Sequence, residues 1–217
     1  MGKKEEKHLP VYGIGPMLCW PMAVLTVAGI WMSVQGIIPG AIENGSARIL
    51  LLIIGILLIL DGVAMSAAFN SYVAVFWLLK PHSFIGMFPK ELQKKARART
   101  AEEKRHTLIM ICTLYPALLV WIILSTWQAG IVGFWNMFWT AYVEMMFISL
   151  GDLFFLDYLL LKVTGTKLHA DGVKGDPFYE PKNELLKLGL PEHLILWPAV
   201  FCPVVGAISA GVGVLLR

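Results

Sequence analysis

An all-α, integral membrane bundle of about five transmembrane helices is the fold class this sequence predicts, and three observations predict it. Hydrophobic residues make up 57% of the 217-residue chain and charged residues only 15%, with a mean hydropathy of +0.68. A soluble domain carries about 25% charged residues. Five apolar runs reach the length of about 20 residues that a helix needs to cross roughly 30 Å of hydrocarbon. Lysine and arginine gather in alternate connections between those runs, as the positive-inside rule expects of a multi-pass protein. With no internal repeat and loops too short for a soluble nucleotide-binding unit, residues 1–217 form one transmembrane domain.

The first span covers about residues 17–38, inside the charge-free interval between His8 and Glu43. The basic start "MGKKEEKHLP" resembles a leader, but the apolar run continues to Ile38 without a small-residue cleavage site, so it is expected to span. The absence of Ser or Thr at the sixth position speaks against myristoylation. The second span, 49–70, starts after Arg48 and holds Asp61 as its only charge. Its tail, "NSYVAVFWLLKPHSFIGMFP", is expected to leave the core near Asn70 and lie at the interface, anchored by Tyr72 and Trp77 and broken by Pro81 and Pro89. "KELQKKARARTAEEKRH" is expected to form one helix rising into the third span, 107–126. Its basic face either meets anionic headgroups, at about 1 kcal/mol per basic residue, or serves only as an orientation signal. "QAGIVG" then reverses the chain into the fourth span, 134–161, and the fifth covers 194–216.

Three lysines precede the first span, eight basic residues lie from Lys80 to Arg105, and five lysines lie from Lys162 to Lys187. The other side receives only Arg48 and Arg217. The N-terminus and the connections 80–106 and 162–192 are therefore assigned to the cytoplasm, and the C-terminus to the outside. Cys19, Cys112 and Cys202 lie in apolar stretches without a CxxC pair and are expected to be buried small side chains. The net charge of +3 is too small to imply a nucleic-acid partner. Membrane lipids are the expected partners. Self-association stays open, because nothing in the residues counts subunits.

Asp61, Glu144, Asp152 and Asp157 are the candidate intramembrane site. A carboxylate at the bilayer centre costs about 2.5 to 3.5 kcal/mol on insertion scales, so such residues tend to face a bundle interior and mark a site. At 1.5 Å per residue Asp157 stands within about 8 Å of the cytoplasmic end and Asp152 about 15 Å from it, with Glu144 in the outer half and Asp61 near the middle of its span. At about 100° per residue Glu144 and Asp152 differ by about 80°, and Asp157 points about 140° further round, so the three do not form one stripe. Asp157 is accordingly expected to be an interfacial acid met by water or loop lysines, and Glu144 to be structural. For Asp61 and Asp152 two accounts stay open. They line a polar pocket, or they lock helices together through contacts that average about 0.6 kcal/mol.

On the cytoplasmic side, "KLHADGVKGDPFYEPKN" offers His169, Asp171 and Asp176 as candidate ligand or headgroup contacts, and Lys94, Lys95, Arg97 and Arg99 as partners for anionic headgroups. Their spacing matches no metal motif, so no metal site is assigned. His82, His106, His169 and His193 all fall on this side and are taken as scatter along the interface. Small residues in "DGVAMSAA" and "GAISAGVG" permit close helix approach.

Two family resemblances follow from particular stretches. "LPVYGIGPM" with the helix after it, and "GILLILDGVAMSAAFNSYV", resemble the first two helices of bacterial proteins related to isoprenylcysteine carboxyl methyltransferase, over roughly the first 75 residues. That resemblance implies a helical membrane enzyme using S-adenosylmethionine. The family's Arg-His-Pro or Arg-Asn-Pro motif is absent from the chain, so no catalytic or cofactor residue carries over. "MFPKELQKK", "FWNMFW" and "GDLFFLDYLLL", within residues 87–180, are similar to a group of bacterial multi-pass membrane proteins with an Asp-x4-Asp pattern, on which Asp152 and Asp157 fall. This second resemblance implies a bacterial cytoplasmic membrane and brings no activity. Three functions follow as expectations. The first is a membrane protein handling a lipid or small molecule through a polar pocket near the cytoplasmic side. The second is a divergent membrane methyltransferase using S-adenosylmethionine, and the third a non-enzymatic assembly or scaffold protein. Whether the chain is an enzyme stays open, and no other cofactor is assigned.

Overall fold

The computed structural model describes the chain from Ala47 to Leu216, with side chains from Leu58 onward except that of Gln128. The expected first span, 17–38, lies outside the described residues, as does Cys19. Every regular element among the described residues is helical.

Helix α1, Ala47–Leu79, is an unbroken run of 33 residues. It ends where Pro81 disfavours helical geometry at Lys80, and a 3₁₀ turn, Pro81–Met87, follows. The helix therefore does not leave the core at Asn70, which is fully buried. Burial of Ala74 and Trp77 holds its last two turns in the bundle. The short α2, Lys90–Lys95, ends at Ala96, which is extended. It is separate from α3, Ala101–Gln128. The two do not form one helix because Thr100 caps α3: its hydroxyl accepts from Glu103 N–H while the Glu103 carboxylate accepts from Thr100 N–H. That reciprocal pair satisfies donors a continuous helix would have used.

The tight reversal after α3 runs through Gly130 at φ 66° and Gly133 at φ 87°, a region that favours glycine. Helix α4 then spans 134–164: α-helical over Phe134–Phe154, π-helical over Phe155–Leu160, and α-helical again to Thr164. Helix α5, Pro181–Leu215, starts well before the expected residue 194. It begins at Pro181, a residue suited to a first helical position, and contains two π stretches, Leu185–Gly189 and Glu192–Phe201.

Side-chain contacts fix the directions. Asp61 meets Trp121, Tyr72 meets Thr113 and Phe76 meets His106, so α1 and α3 are antiparallel. Gly62 faces Phe147 and Ser66 faces Gly151, so α1 and α4 run parallel. Gly213 faces Met137, Gly206 faces Phe138, and Ser149 meets His193, so α5 is antiparallel to α4. Helix α4 thus lies in the middle, between α1 and α5. One core runs through the bundle from Ile122 and Ala141 to Leu156 and Leu168. By length and composition α1 (from Leu58), α3 and α5 can each cross a membrane. Exposed Leu108, Val120, Leu124, Ile195, Val204 and Val214 give their outer faces the apolar surface that lipid requires. Cys112 is exposed on that surface and not buried as expected; Cys202 is buried.

The two long connections meet at one end and form a cap. Arg97 bonds Asp171, Lys95 bonds Asp176 at 2.8 Å, and Asp171 N–H donates to His82 Nδ1 at 3.0 Å. At the other end Trp127, Trp135 and Trp139 are exposed around the reversal.

Candidate functional site

The densest polar cluster inside the helices lies where α4 and α5 approach the cap. In a regular α-helix Asp152 and Asp157 would point about 140° apart. The π run beginning at Phe155 changes this, because its i→i+5 pattern sets residues five apart on one side. Asp152, Asp157 and His193 then converge, with one ligand atom of each lying within 4.8 Å of the others. His193 Nε2 is 3.1 Å from Asp157 Oδ2, and its Nδ1 is 3.0 Å from Ser149 Oγ. Asp157 is therefore not an interfacial acid met by lysines; its side chain is 13% exposed, and its partner is a histidine that is 1% exposed. Nor is His193 interface scatter.

Two further acids join from α5. Glu184 is 1% exposed and neither carboxylate oxygen has a hydrogen-bond partner among the described residues. Its charged neighbour is Asp157. Glu192 faces Asp152, Asp157 and His193. Gly189 allows the approach: a Cβ there would lie 2.8 Å from Leu153 Cδ1 and 3.5 Å from Asp157 Oδ2. Two carboxyl groups thus stand at the imidazole, and two more lie close enough to feel the charge of Asp157. All five residues are of metal-ligating type and three of them lie at close range, although no spacing in the sequence displays it.

Asp61 and Glu144 occupy a second position, about 12 Å further along α4 at 1.5 Å per residue. Trp121 Nε1–H donates to Asp61 Oδ1 at 3.0 Å, and Ser125 and Glu144 lie beside that carboxyl. Asp61 and Glu144 are both buried. The pair joins α1, α3 and α4, which is what an interhelical lock does. Asp61 and Asp152 do not share a pocket; they belong to different clusters.

The remaining candidates all lie in the cap, mostly bonded to each other. Arg97 holds Glu103 and Asp171, with guanidinium-to-carboxylate distances of 2.5 and 3.0 Å, and those partners raise the guanidinium above its ordinary range. Arg97 in turn holds the Asp171 carboxyl below its usual value, and Lys95 does the same to Asp176. Arg99 donates to the Ser83 carbonyl. Lys94 is exposed. His169 stacks on Tyr179 with ring centroids 3.8 Å apart and accepts from Gly175 N–H. Burial pushes its imidazole below the ordinary histidine value, with Lys174 adding to the effect. His82 accepts at Nδ1, so its Nε2–H donates to the Arg97 carbonyl at 3.1 Å. A cleft of about 580 Å³ opens beside Lys90, Lys95, Asp176 and Lys187. Another of about 420 Å³ opens beside His82, Glu102, His169 and Lys174.

Ser149, Glu184, Glu192 and Trp121 escaped the sequence analysis, which reads His193 only as interface scatter. Pro181, three residues before Glu184, was the available signal that a helix already begins there. Comparison of the chain with protein-family models, curated proteins and solved structures gives no match.

Proposed function

We propose that the chain is a five-span integral protein of a cytoplasmic membrane that binds a polar lipid or small molecule at the Asp152–Asp157–His193 cluster, entering from the cap side. One observation carries this: Glu184 is buried with both oxygens unpartnered among the described residues and with Asp157 as its charged neighbour. The Asp61–Glu144 lock leaves less unsatisfied: Asp61 accepts from Trp121, and of Glu144 only Oε2 lacks a partner among the described residues. A buried carboxyl without a partner costs about 1–3 kcal/mol or more and is retained where a ligand uses it.

The span count and orientation draw on three supports. Trp135 and Tyr158 on α4 stand about 35 Å apart along the axis at 1.5 Å per residue, near the hydrocarbon thickness of roughly 30 Å. The exposed tryptophans at the reversal suit a headgroup-level aromatic belt, and the cap holds the basic residues that favour the cytoplasm. The apolar run 17–38 supplies the fifth crossing. A bacterial membrane is what the Asp-x4-Asp resemblance implies.

The test is native mass spectrometry with lipid extraction on the detergent-purified full chain, beside the Asp152→Asn/Asp157→Asn double variant. The wild type is expected to carry a bound species that the folded double variant loses. If both carry the same complement and function equally in cells, the acids are structural and the scaffold alternative takes over. A thermal shift on adding S-adenosylmethionine would move the assignment to the methyltransferase alternative.

A further inference from the structure

We infer that Asp152, Asp157 and His193 form a site for a first-row divalent metal ion of the zinc or manganese type, with the buried Glu184 beside Asp157. The inference rests on the cluster being a binding site, and it names the first occupant. Three features carry it.

The first is geometry. Ligand nitrogens and oxygens sit about 2.0–2.2 Å from zinc, so neighbouring donors on a tetrahedral ion stand about 3.4 Å apart. His193 Nε2 and Asp157 Oδ2, at 3.1 Å, are close to that spacing. The widest separation in the Asp152–Asp157–His193 set is within 4.8 Å, which a carboxylate shift of about 1–1.5 Å closes by side-chain rotation.

The second is the imidazole tautomer. Ser149 Oγ–H donates to the His193 carbonyl at 3.5 Å, which leaves Oγ free to accept from Nδ1–H at 3.0 Å. In that tautomer the Nε2 lone pair faces Asp157 Oδ2 at 3.1 Å, where a proton or a metal ion joins the two. Metal-bound histidines have this outer support, with the second ring nitrogen donating to a fixed acceptor.

The third is an unpartnered carboxyl. Glu184 is 1% exposed, neither of its oxygens has a hydrogen-bond partner among the described residues, and Asp157 is its charged neighbour. Imidazole with carboxylates suits zinc, manganese or iron, whereas an all-oxygen set would suit magnesium.

The experiment uses the full chain in detergent, stripped with chelator and then titrated with Zn²⁺, Mn²⁺ or Co²⁺. Bound metal is counted after dialysis, and the cobalt visible spectrum reports the donor set. One ion per chain is expected. Asp157→Asn and His193→Gln should each weaken binding by more than 100-fold, about the upper end of what losing an outer partner does; Ser149→Ala should weaken it about 10- to 100-fold. Asp61→Asn serves as the folded control and should bind as the wild type does. Glu184→Gln keeps shape and removes charge, so it reports on the site if an Asp157 variant fails to fold. Absence of saturable binding means that a proton alone joins His193 to Asp157, and it overturns the inference. So does binding that survives all four site substitutions, since the ion then sits elsewhere, for example on the cap histidines. If metal binding fails while a lipid or small molecule still depends on Asp152 and Asp157, the proposed function stands without the metal. If both fail, both fall.

Discussion

Gly151 shows how tightly single residues set the bundle. A Cβ at this position would lie 1.9 Å from Ser66 Oγ and 2.7 Å from Asn70 Nδ2, on the helix that runs parallel to α4. Asn70 cannot easily give way, because its Nδ2 already donates to the Ser66 carbonyl at 2.8 Å and the residue is fully buried. Gly151→Ala is therefore expected to lower stability by about 1–3 kcal/mol, the usual cost of overpacking. Reversible unfolding in detergent measures it, and an unchanged midpoint would mean that α1 and α4 do not cross here. Trp121→Phe removes the hydrogen bond to Asp61, worth about 0.6–1.7 kcal/mol, together with part of an indole packed against the core, so its loss of stability should exceed that range. Part of this was legible beforehand: "DGVAMSAA" signals close approach, and Asp61 signals a buried acid. Which helix supplies the glycine was not legible, because a small-residue stripe does not name its neighbour.

At the scale of elements, the departure from regular geometry is what assembles the site. Counting 100° per residue separates Asp152 from Asp157, and that count fails only because Phe155–Leu160 is a π-helix. Nothing in "FLDYLL" announces such a turn; it forms where α4 packs on the π stretches of α5. The start of α5 and the break before α3 were legible in principle, from Pro181 and from the Thr100–Glu103 capping box, and local signals of this kind would have placed Glu184 and His193 on a helix. The cap makes a separate prediction about acidity. Asp171 and Asp176 have folded values below the ordinary aspartate range, held there by Arg97 and Lys95 first. Their contribution is full above about pH 4 and disappears as the pH falls through the lower folded values. His169 is depressed by burial, so its contribution is full above about pH 6.5 and declines as the pH drops from there. Amide protection factors across residues 167–176, taken relative to the intrinsic exchange rate at each pH, should therefore fall in two stages, one below pH 6.5 and one below pH 4. A single stage, or protection that improves on acidification, would contradict the His169–Gly175 and Arg97–Asp171 contacts. High salt should speed the second stage at any pH, because those pairs are exposed.

For the whole molecule, charge and packing give two independent statements about sidedness. In the proposed orientation both long connections face the cytoplasm, because lysine and arginine concentrate in them. Packing brings the same two connections together, since Lys95 reaches Asp176 and Arg97 reaches Asp171 across more than seventy residues of sequence. Neither statement requires the other, so their agreement restricts the topology: α1 and α4 run toward the cap, and α3 and α5 run away from it. The consequence can be measured with a membrane-impermeant thiol reagent on intact cells and on inverted vesicles. After the three native cysteines are replaced by serine, Lys94→Cys and Lys174→Cys should react only in inverted vesicles. Val132→Cys, exposed in the reversal at the opposite end, should react only in intact cells. Labelling of Lys94→Cys and Lys174→Cys from opposite faces would separate two loops that are bonded to each other, and the bundle would be wrong. Labelling of both from outside would keep the bundle and invert it. The cluster at the cap end would then open to the periplasm, and the polar ligand would have to arrive from there.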